Sequence, residues 1–463
     1  MTPSSLTRKA GFWKAYKTEY KNLWRLGLPV LITQVGIIVV SFADTMMVGA
    51  YGTNELAAAA FVNSIFMVAI VMQIGFAAGM TPLIGALYSR KENNEVGVTL
   101  RGGLQINILV SLAFTAIMAS LYFFLDRFGQ PEELLPLIRR YYLIVLTTLL
   151  PMAVFNCCQQ TANGTTDTAT PMWMILGANV VNIFGNYCFI YGHFGAPELG
   201  LAGAGLSTMI ARYLTMFGIV TFFLISKRYR PYIKGLREGS VNIGGVRRKV
   251  WVTSYPVMIQ SGVECFLWTF GAIVSGWFGK IQLASYQVVN TIAQLGFMTY
   301  MSFGVATSIR VANYNGLGDI AGMNRITSAG LHLNMLLATI ASLVFLIGGR
   351  HLIHAFTPDP EVIATALTLI LPLILYQYGD AVQLTYANAL RGTSDVKPLL
   401  WISIVSYIIV GVPLLLTLAK VLELQNMGVY YSFSGALIVA SVLLHRAFRK
   451  AVGKKERELA SRQ

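Results

Sequence analysis

Four charged residues stand in stretches that are otherwise apolar: Asp44, Arg212, Glu264 and Asp380. Polar and aromatic residues keep them company at helical spacing. Gln260 and Ser261 precede Glu264 by one turn, and Trp268 follows it by one. Tyr376, Gln377 and Gln383 lie one turn from Asp380. Gln287, Asn290 and Gln294 recur at i, i+3 and i+7, a single helical stripe. Two carboxylates among amide oxygens suit a hard cation such as Na⁺, which prefers oxygen ligands. They equally suit a proton, because a carboxyl group out of water and near a second one holds a proton more readily. Glu264 and Asp380 are therefore expected to bind a coupling cation, with polar helix packing as the alternative. Asp44, together with Asn179, Asn182 and Asn186 on one helical face, makes a second polar cluster. It reads as a cation or substrate site, against a structural pairing of Asp44 with Arg212 and plain interhelical hydrogen bonds for the asparagines. Trp268, Phe297, Tyr300 and Tyr376 are candidates to face an organic cation with their rings, although packing explains any one of them as well.

Such residues matter because of where they sit. A charge in hydrocarbon costs a few kcal/mol or more, so an intramembrane carboxylate is a functional candidate by default. The chain of 463 residues is 55% hydrophobic and 12% charged, with a mean hydropathy of +0.60. Soluble domains carry about 25% charged residues. A membrane-spanning helix needs about 20 mostly apolar residues, and twelve stretches qualify: 26–50, 57–80, 100–124, 136–160, 172–192, 200–226, 251–278, 284–309, 327–348, 362–390, 398–419 and 427–446. The expected fold is an all-α integral membrane protein of twelve transmembrane helices. Glu264 and Asp380 then fall near mid-membrane at a rise of about 1.5 Å per residue.

The net charge of +15 reads as topology. With both termini placed in the cytoplasm, 28 of the 35 Lys and Arg fall on the inner side. The outer loops hold Arg127, Arg139, Arg140, Lys280, Arg350 and Lys420. No nucleic-acid-binding motif accompanies the basic segments. Residues 1–25 read as a cytoplasmic tail, 26–226 as one six-helix bundle, 227–250 as a basic linker, 251–446 as a second bundle and 447–463 as a basic tail. No cleavable leader or organellar targeting segment is legible, so a bacterial plasma (inner) membrane and a monomer are expected. Cys157, Cys158, Cys188 and Cys265 lie in apolar runs without metal-ligand spacing. His351 and His354 stand three apart in an outer loop with no third ligand nearby.

The linker falls midway, and the halves repeat. An offset of 227 residues lays Pro29-Val30 on Pro256-Val257, Gly49 and Gly52 on Gly276 and Gly279, Leu56-Ala57 on Leu283-Ala284, and Asn63 and Ile65 on Asn290 and Ile292. Further on, Gly164-Thr165, Asp167 and Pro171 echo Gly392-Thr393, Asp395 and Pro398. Asp167 and Asp395 read as turn and N-cap residues. Two parallel six-helix repeats suit alternating access by rocking. No G-x-x-x-x-G-K-[ST] run is present, so an ion gradient rather than ATP is expected to drive the protein, with no cofactor. No catalytic constellation is legible, so an enzyme is not expected.

Taken in order, several of these runs resemble the multidrug and toxic compound extrusion (MATE) transporters over about residues 22–450. They are Leu28-Pro29, Gln34, Phe42-Ala43-Asp44-Thr45 and Val48-Gly49, then Thr81-Pro82-Leu83 with Ala86, Asn182-Ile183-Phe184-Gly185-Asn186-Tyr187, and Leu390-Arg391-Gly392 before Pro398. The acids Glu264 and Asp380 match those of the NorM-like branch, and Asp44 with Asn182 and Asn186 matches the first-helix acid and its asparagines. The resemblance implies export of cationic amphipathic compounds in exchange for inward Na⁺ or H⁺. It also implies a cavity lined by Gln34 and the polar and aromatic residues named above. Two departures stand out. Ala162-Asn163-Gly164 replaces the Leu-Arg-Gly-like run often found after the fourth helix, and Phe297 takes a position that can be Tyr. Two other readings compete: a flippase of lipid-linked precursors from the wider superfamily, which needs a large cationic cavity, and a membrane-embedded transferase.

Overall fold

The computed structural model describes residues 3–238 and 243–461, with side chains from Tyr16 onward. Parts of the expected N-terminal tail, the 227–250 linker and the C-terminal tail lie outside the described residues. Among the described residues every regular element is a helix. In order come α1 (Pro3–Tyr51), α2 (Thr53–Ala78), α3 (Met80–Ser89), α4 (Asn93–Tyr122), α5 (Leu135–Leu146), α6 (Leu149–Gly164), α7 (Ala169–Tyr191), α8 (Leu201–Ile225), α9 (Arg230–Glu238), α10 (Ile243–Trp277), α11 (Lys280–Leu317), α12 (Ile320–Phe356), α13 (Pro360–Thr368) and α14 (Ile370–Gly392). Then follow α15 (Lys397–Ser403), a π-helical segment (Ile404–Gly411), α16 (Val412–Leu416), a second π-helical segment (Thr417–Val421) and α17 (Gln425–Ala460).

Each of the twelve expected spans lies on one helix or a broken pair, except 398–419, which runs through α15, α16 and the two π-helical segments. Among the described residues ten spans are long and apolar enough to cross a membrane, and the α13–α14 pair, bent by 49°, makes an eleventh. The twelfth is α11, whose 38 residues include the polar stripe of Gln287, Asn290 and Gln294. The breaks have local causes. Pro151 cannot donate to the carbonyl of Thr147, where α5 gives way to α6, and that oxygen accepts the Tyr213 hydroxyl instead (3.4 Å). Pro372 removes a donor just after the α13–α14 bend in the same way. At the α2–α3 break, a Cβ on Gly79 would lie 2.5 Å from the Cα of Ser254. Many large apolar side chains are exposed on these helices, such as Val180, Phe217 and Ile347, as lipid contact requires.

The chain forms two compact units. One comprises residues 32–258, the other residues 1–31 and 259–463. Their limits fall two residues after Pro29 and Pro256, the prolines inside α1 and α10 that the internal repeat superposes. Backbone geometry repeats as well. Thr166 and Ser394 adopt left-handed conformations (φ 61° and 64°) at equivalent turns, and so do Lys91 and Gly318 (φ 61° and 73°). Asp167 accepts from the backbone N–H of Thr170 (3.1 Å), as a capping residue does. In Asp395 it is the backbone N–H that is engaged, donating to Thr393 Oγ1 (3.2 Å).

In the second unit, α14 packs against α11, α12 and α17. The stretch of α1 before Pro29 is anchored there. Leu23 and Leu26 enter the core with Phe303, Ile326 and Phe448. Trp24 meets the Phe303 ring edge-on (4.9 Å), and Tyr20 bonds to His332 (3.1 Å). Glu19 is only 2% exposed. Its Oε1 accepts the Tyr314 hydroxyl and Arg325 Nε (3.3 Å), and its Oε2 lies 3.9 Å from Arg310.

Candidate functional site

The unit formed by residues 1–31 and 259–463 contains a small cavity. Glu264, Leu267 and Trp268 line it from α10, Phe297 from α11, and Tyr376, Asp380 and Gln383 from α14. Tyr407 of the first π-helical segment, with Phe433 and Leu437 of α17, completes the wall. Its volume is about 20 Å³. A water-sized guest needs roughly 10–15 Å³, so the space has room for one water or one small ion.

Glu264 is held from three sides. Its Oε1 accepts from Gln260 Nε2 (3.2 Å), Gln383 Nε2 (2.8 Å) and the Tyr407 hydroxyl (3.1 Å). No donor among the described residues reaches its Oε2. Asp380 is 2% exposed, and its Oδ2 is buried without a hydrogen-bond partner. Buried polar atoms are almost always satisfied, so each exception calls for an explanation. A cation held at the carboxylates would supply one here. The rings are fixed by one another: Trp268 stands perpendicular to Tyr376 (5.1 Å) and against Phe433 (4.8 Å), and its backbone carbonyl accepts the Tyr286 hydroxyl (3.1 Å).

Of the residues expected in this half, Glu264, Asp380, Trp268, Phe297, Tyr376 and Gln383 meet at the cavity, and Gln260 supports it from behind. Gln377 does not line it. It is fully buried between α14 and α11, where a Cβ on Gly296 would meet its Oε1 at 2.3 Å. Gln287, Asn290 and Gln294 also lie outside the lining. The face of α11 carrying Ala293, Gly296 and Tyr300 is buried, and the helical period turns Gln287 and Gln294 outward to exposed positions. Tyr300 is fully buried and likewise does not line the cavity.

Sequence reasoning missed two residues. Tyr407 reaches Glu264 from a π-helical turn, a feature found often at functional sites. Pro413, which cannot donate an i→i−4 bond, is the signal that could have flagged it. Arg391 reads from sequence as a cytoplasmic loop charge, yet it ends α14 only 7% exposed and donates to Gln260 Oε1 (3.1 Å).

In the unit of residues 32–258, Asp44 Oδ1 accepts from Asn186 Nδ2. Asn182, with its amide turned to satisfy its neighbours, donates to the same oxygen (2.9 Å) and accepts from Thr208. Asp44 and these two asparagines thus form one cluster. Asn179 packs against Gly36 instead, with its amide nitrogen buried and unpartnered. Gln34 is half-buried and makes no hydrogen bond among the described residues. The structural pairing weighed for Asp44 is not formed. Arg212 bonds to the Thr148 hydroxyl, and no Asp44–Arg212 contact falls within ion-pair range.

All four cysteines are free. Among the described residues no three His, Cys, Asp or Glu side chains gather to hold a metal, so His351 and His354 form no centre.

The MatE family model matches residues 29–188 and again 256–417, two copies beginning 227 residues apart at Pro29 and Pro256. The multidrug resistance protein NorM of Aliivibrio fischeri is 28% identical over 93% of this chain and 94% of its own. A probable multidrug resistance protein NorM of Mannheimia succiniciproducens is 26% identical over 98% and 99%. Among solved structures, the eukaryotic MATE transporter AtDTX14 superposes with a TM-score of 0.84 at 17% identity, covering 95% of this chain and all of that one. The Vibrio cholerae MATE transporter VcmN, in its bent form, gives 0.83 at 18%, covering 96% and 99%. The chain belongs to the MatE family: it is a multi-pass membrane transporter of NorM-like relatives with the twelve-helix MATE fold, not an enzyme.

Proposed function

We propose that the protein is a multidrug efflux antiporter that expels cationic amphipathic compounds in exchange for inward Na⁺ or H⁺. The observation that carries this reading is the small cavity of about 20 Å³ lined by Glu264 and Asp380. It fits a small ion and, among the described residues, keeps one oxygen of each carboxylate free of protein donors. An ion entering it neutralises buried charge, and so changes the relative stability of the conformations in which it is loaded and empty. The NorM relatives bring the multidrug substrate class, and no cofactor is needed.

Asp44 with Asn182 and Asn186 forms a second polar site in the other repeat, suited to a cation or to part of the substrate. The two six-helix repeats suit alternating access by rocking, with both termini in the cytoplasm, in a bacterial inner membrane, as a monomer. The flippase alternative needs a large cationic cavity. Neither polar site is of that kind: one is small and lined by two acids, the other centred on Asp44.

The test is ethidium efflux from proteoliposomes, with Na⁺ and pH gradients imposed separately. One gradient should drive efflux, and Glu264→Gln and Asp380→Asn should each abolish it while inserting normally. Undiminished efflux in either variant would refute the assignment.

A further inference from the structure

Arg391 is a buried cation that the exchange reading leaves unused. The residue is 7% exposed, and among the described residues its Nε has no partner and its one hydrogen bond to a side chain goes to Gln260. A guanidinium in such a place is ordinarily paired directly with a carboxylate, because taking an ion out of water costs several kcal/mol. Among the described residues Arg391 makes no such ion pair. It is joined to Glu264 through one amide, whose Oε1 accepts from Arg391 (3.1 Å) and whose Nε2 donates to Glu264 (3.2 Å).

The internal repeat sets this half of the chain apart from the other. The position equivalent to Glu264 is Ile37, that of Asp380 is Met152, that of Gln260 is Thr33 and that of Arg391 is Asn163. One repeat carries both acids, the bridging amide and the arginine, and the other lacks all four. Charge balance gives the same grouping. Two ionised carboxylates and one guanidinium leave a single negative charge, which one monovalent cation neutralises.

We propose that Arg391 is the built-in counter-cation of the ion site: through Gln260 it balances Glu264 whenever the coupling ion has left, and thereby keeps that ion weakly enough held to be released. This rests on the ion-exchange reading above and makes Arg391 a positioning residue acting through Glu264. Without the guanidinium, the empty site would hold uncompensated negative charge, and the ion would be bound tightly and released slowly.

The experiment is ethidium efflux in proteoliposomes against the concentration of the driving ion, for the wild type, Arg391→Met and Arg391→Lys. Arg391→Met should lower the half-saturating ion concentration at least tenfold and also lower the maximal rate, and Arg391→Lys should restore both towards wild type. A lower maximal rate with half-saturation unchanged or raised would mean a structural role and overturn the proposal. A second measurement needs no transport: thermal stability of the purified protein in detergent across the cycle of wild type, Arg391→Met, Glu264→Gln and the double variant. Loss from Arg391→Met should be clearly smaller in the Glu264→Gln background, and equal losses in both backgrounds would overturn the pairing. The arms separate the two readings. Full efflux in Glu264→Gln removes the exchange reading, and the stability cycle then still decides whether Arg391 serves Glu264.

Discussion

Glu19 offers the clearest energetic test of how the start of α1 is held. Its carboxylate is 2% exposed and faces Arg325 at 3.3 Å, Arg310 at 3.9 Å and the Tyr314 hydroxyl. Glu19→Gln keeps an oxygen for Tyr314 and Arg325 but removes the charge. Deleting one partner of a fully buried ion pair costs about 3–5 kcal/mol, because the other charge is stranded. Here the arginines are 22% and 31% exposed, so water compensates in part, and about 2 kcal/mol is the expected loss. At roughly 2–4 °C per kcal/mol for a body of this size, the melting midpoint in detergent should fall by about 5 °C. Adding Arg325→Gln should recover part of the loss, since it removes one stranded cation. A midpoint unchanged in Glu19→Gln, or a double variant worse by the sum of the single losses, would refute the reasoning.

Two further outcomes follow from the packing. Tyr407→Phe removes one of three donors on Glu264 Oε1; at about 1.5–3 kcal/mol for a hydrogen bond to a charged group, the half-saturating concentration of the driving ion should fall roughly tenfold, read from efflux titrations. Gly392→Ala places a Cβ 2.7 Å from the carbonyl oxygen of Ser308 and should destabilise by about 1–3 kcal/mol, whereas Gly177→Ala, with open space around it, should be neutral or stabilising by up to about 1 kcal/mol, both read from melting midpoints in detergent.

The spans, the repeat and the buried acids were legible in the sequence because each rests on a local or periodic signal. Hydrocarbon demands long apolar runs, and duplication leaves matching glycines and prolines such as Pro29 and Pro256. A carboxylate such as Asp380 is conspicuous wherever its neighbours are apolar. What the sequence could not rank was which polar residues gather around those acids. Gln287, Asn290 and Gln294 share a helical stripe, but the rotation of α11 in its packing decides that this stripe lies outside the cavity. Tyr407 reaches Glu264 because a π-helical turn re-aims it. Arg391 looks like one more basic residue at a helix end, and only packing makes it a buried charge one amide away from Glu264. Sequence sets the type and period of each side chain along its own helix. The angle at which that helix meets its neighbours is set by contacts far apart in the chain, and those contacts choose which polar groups face one another.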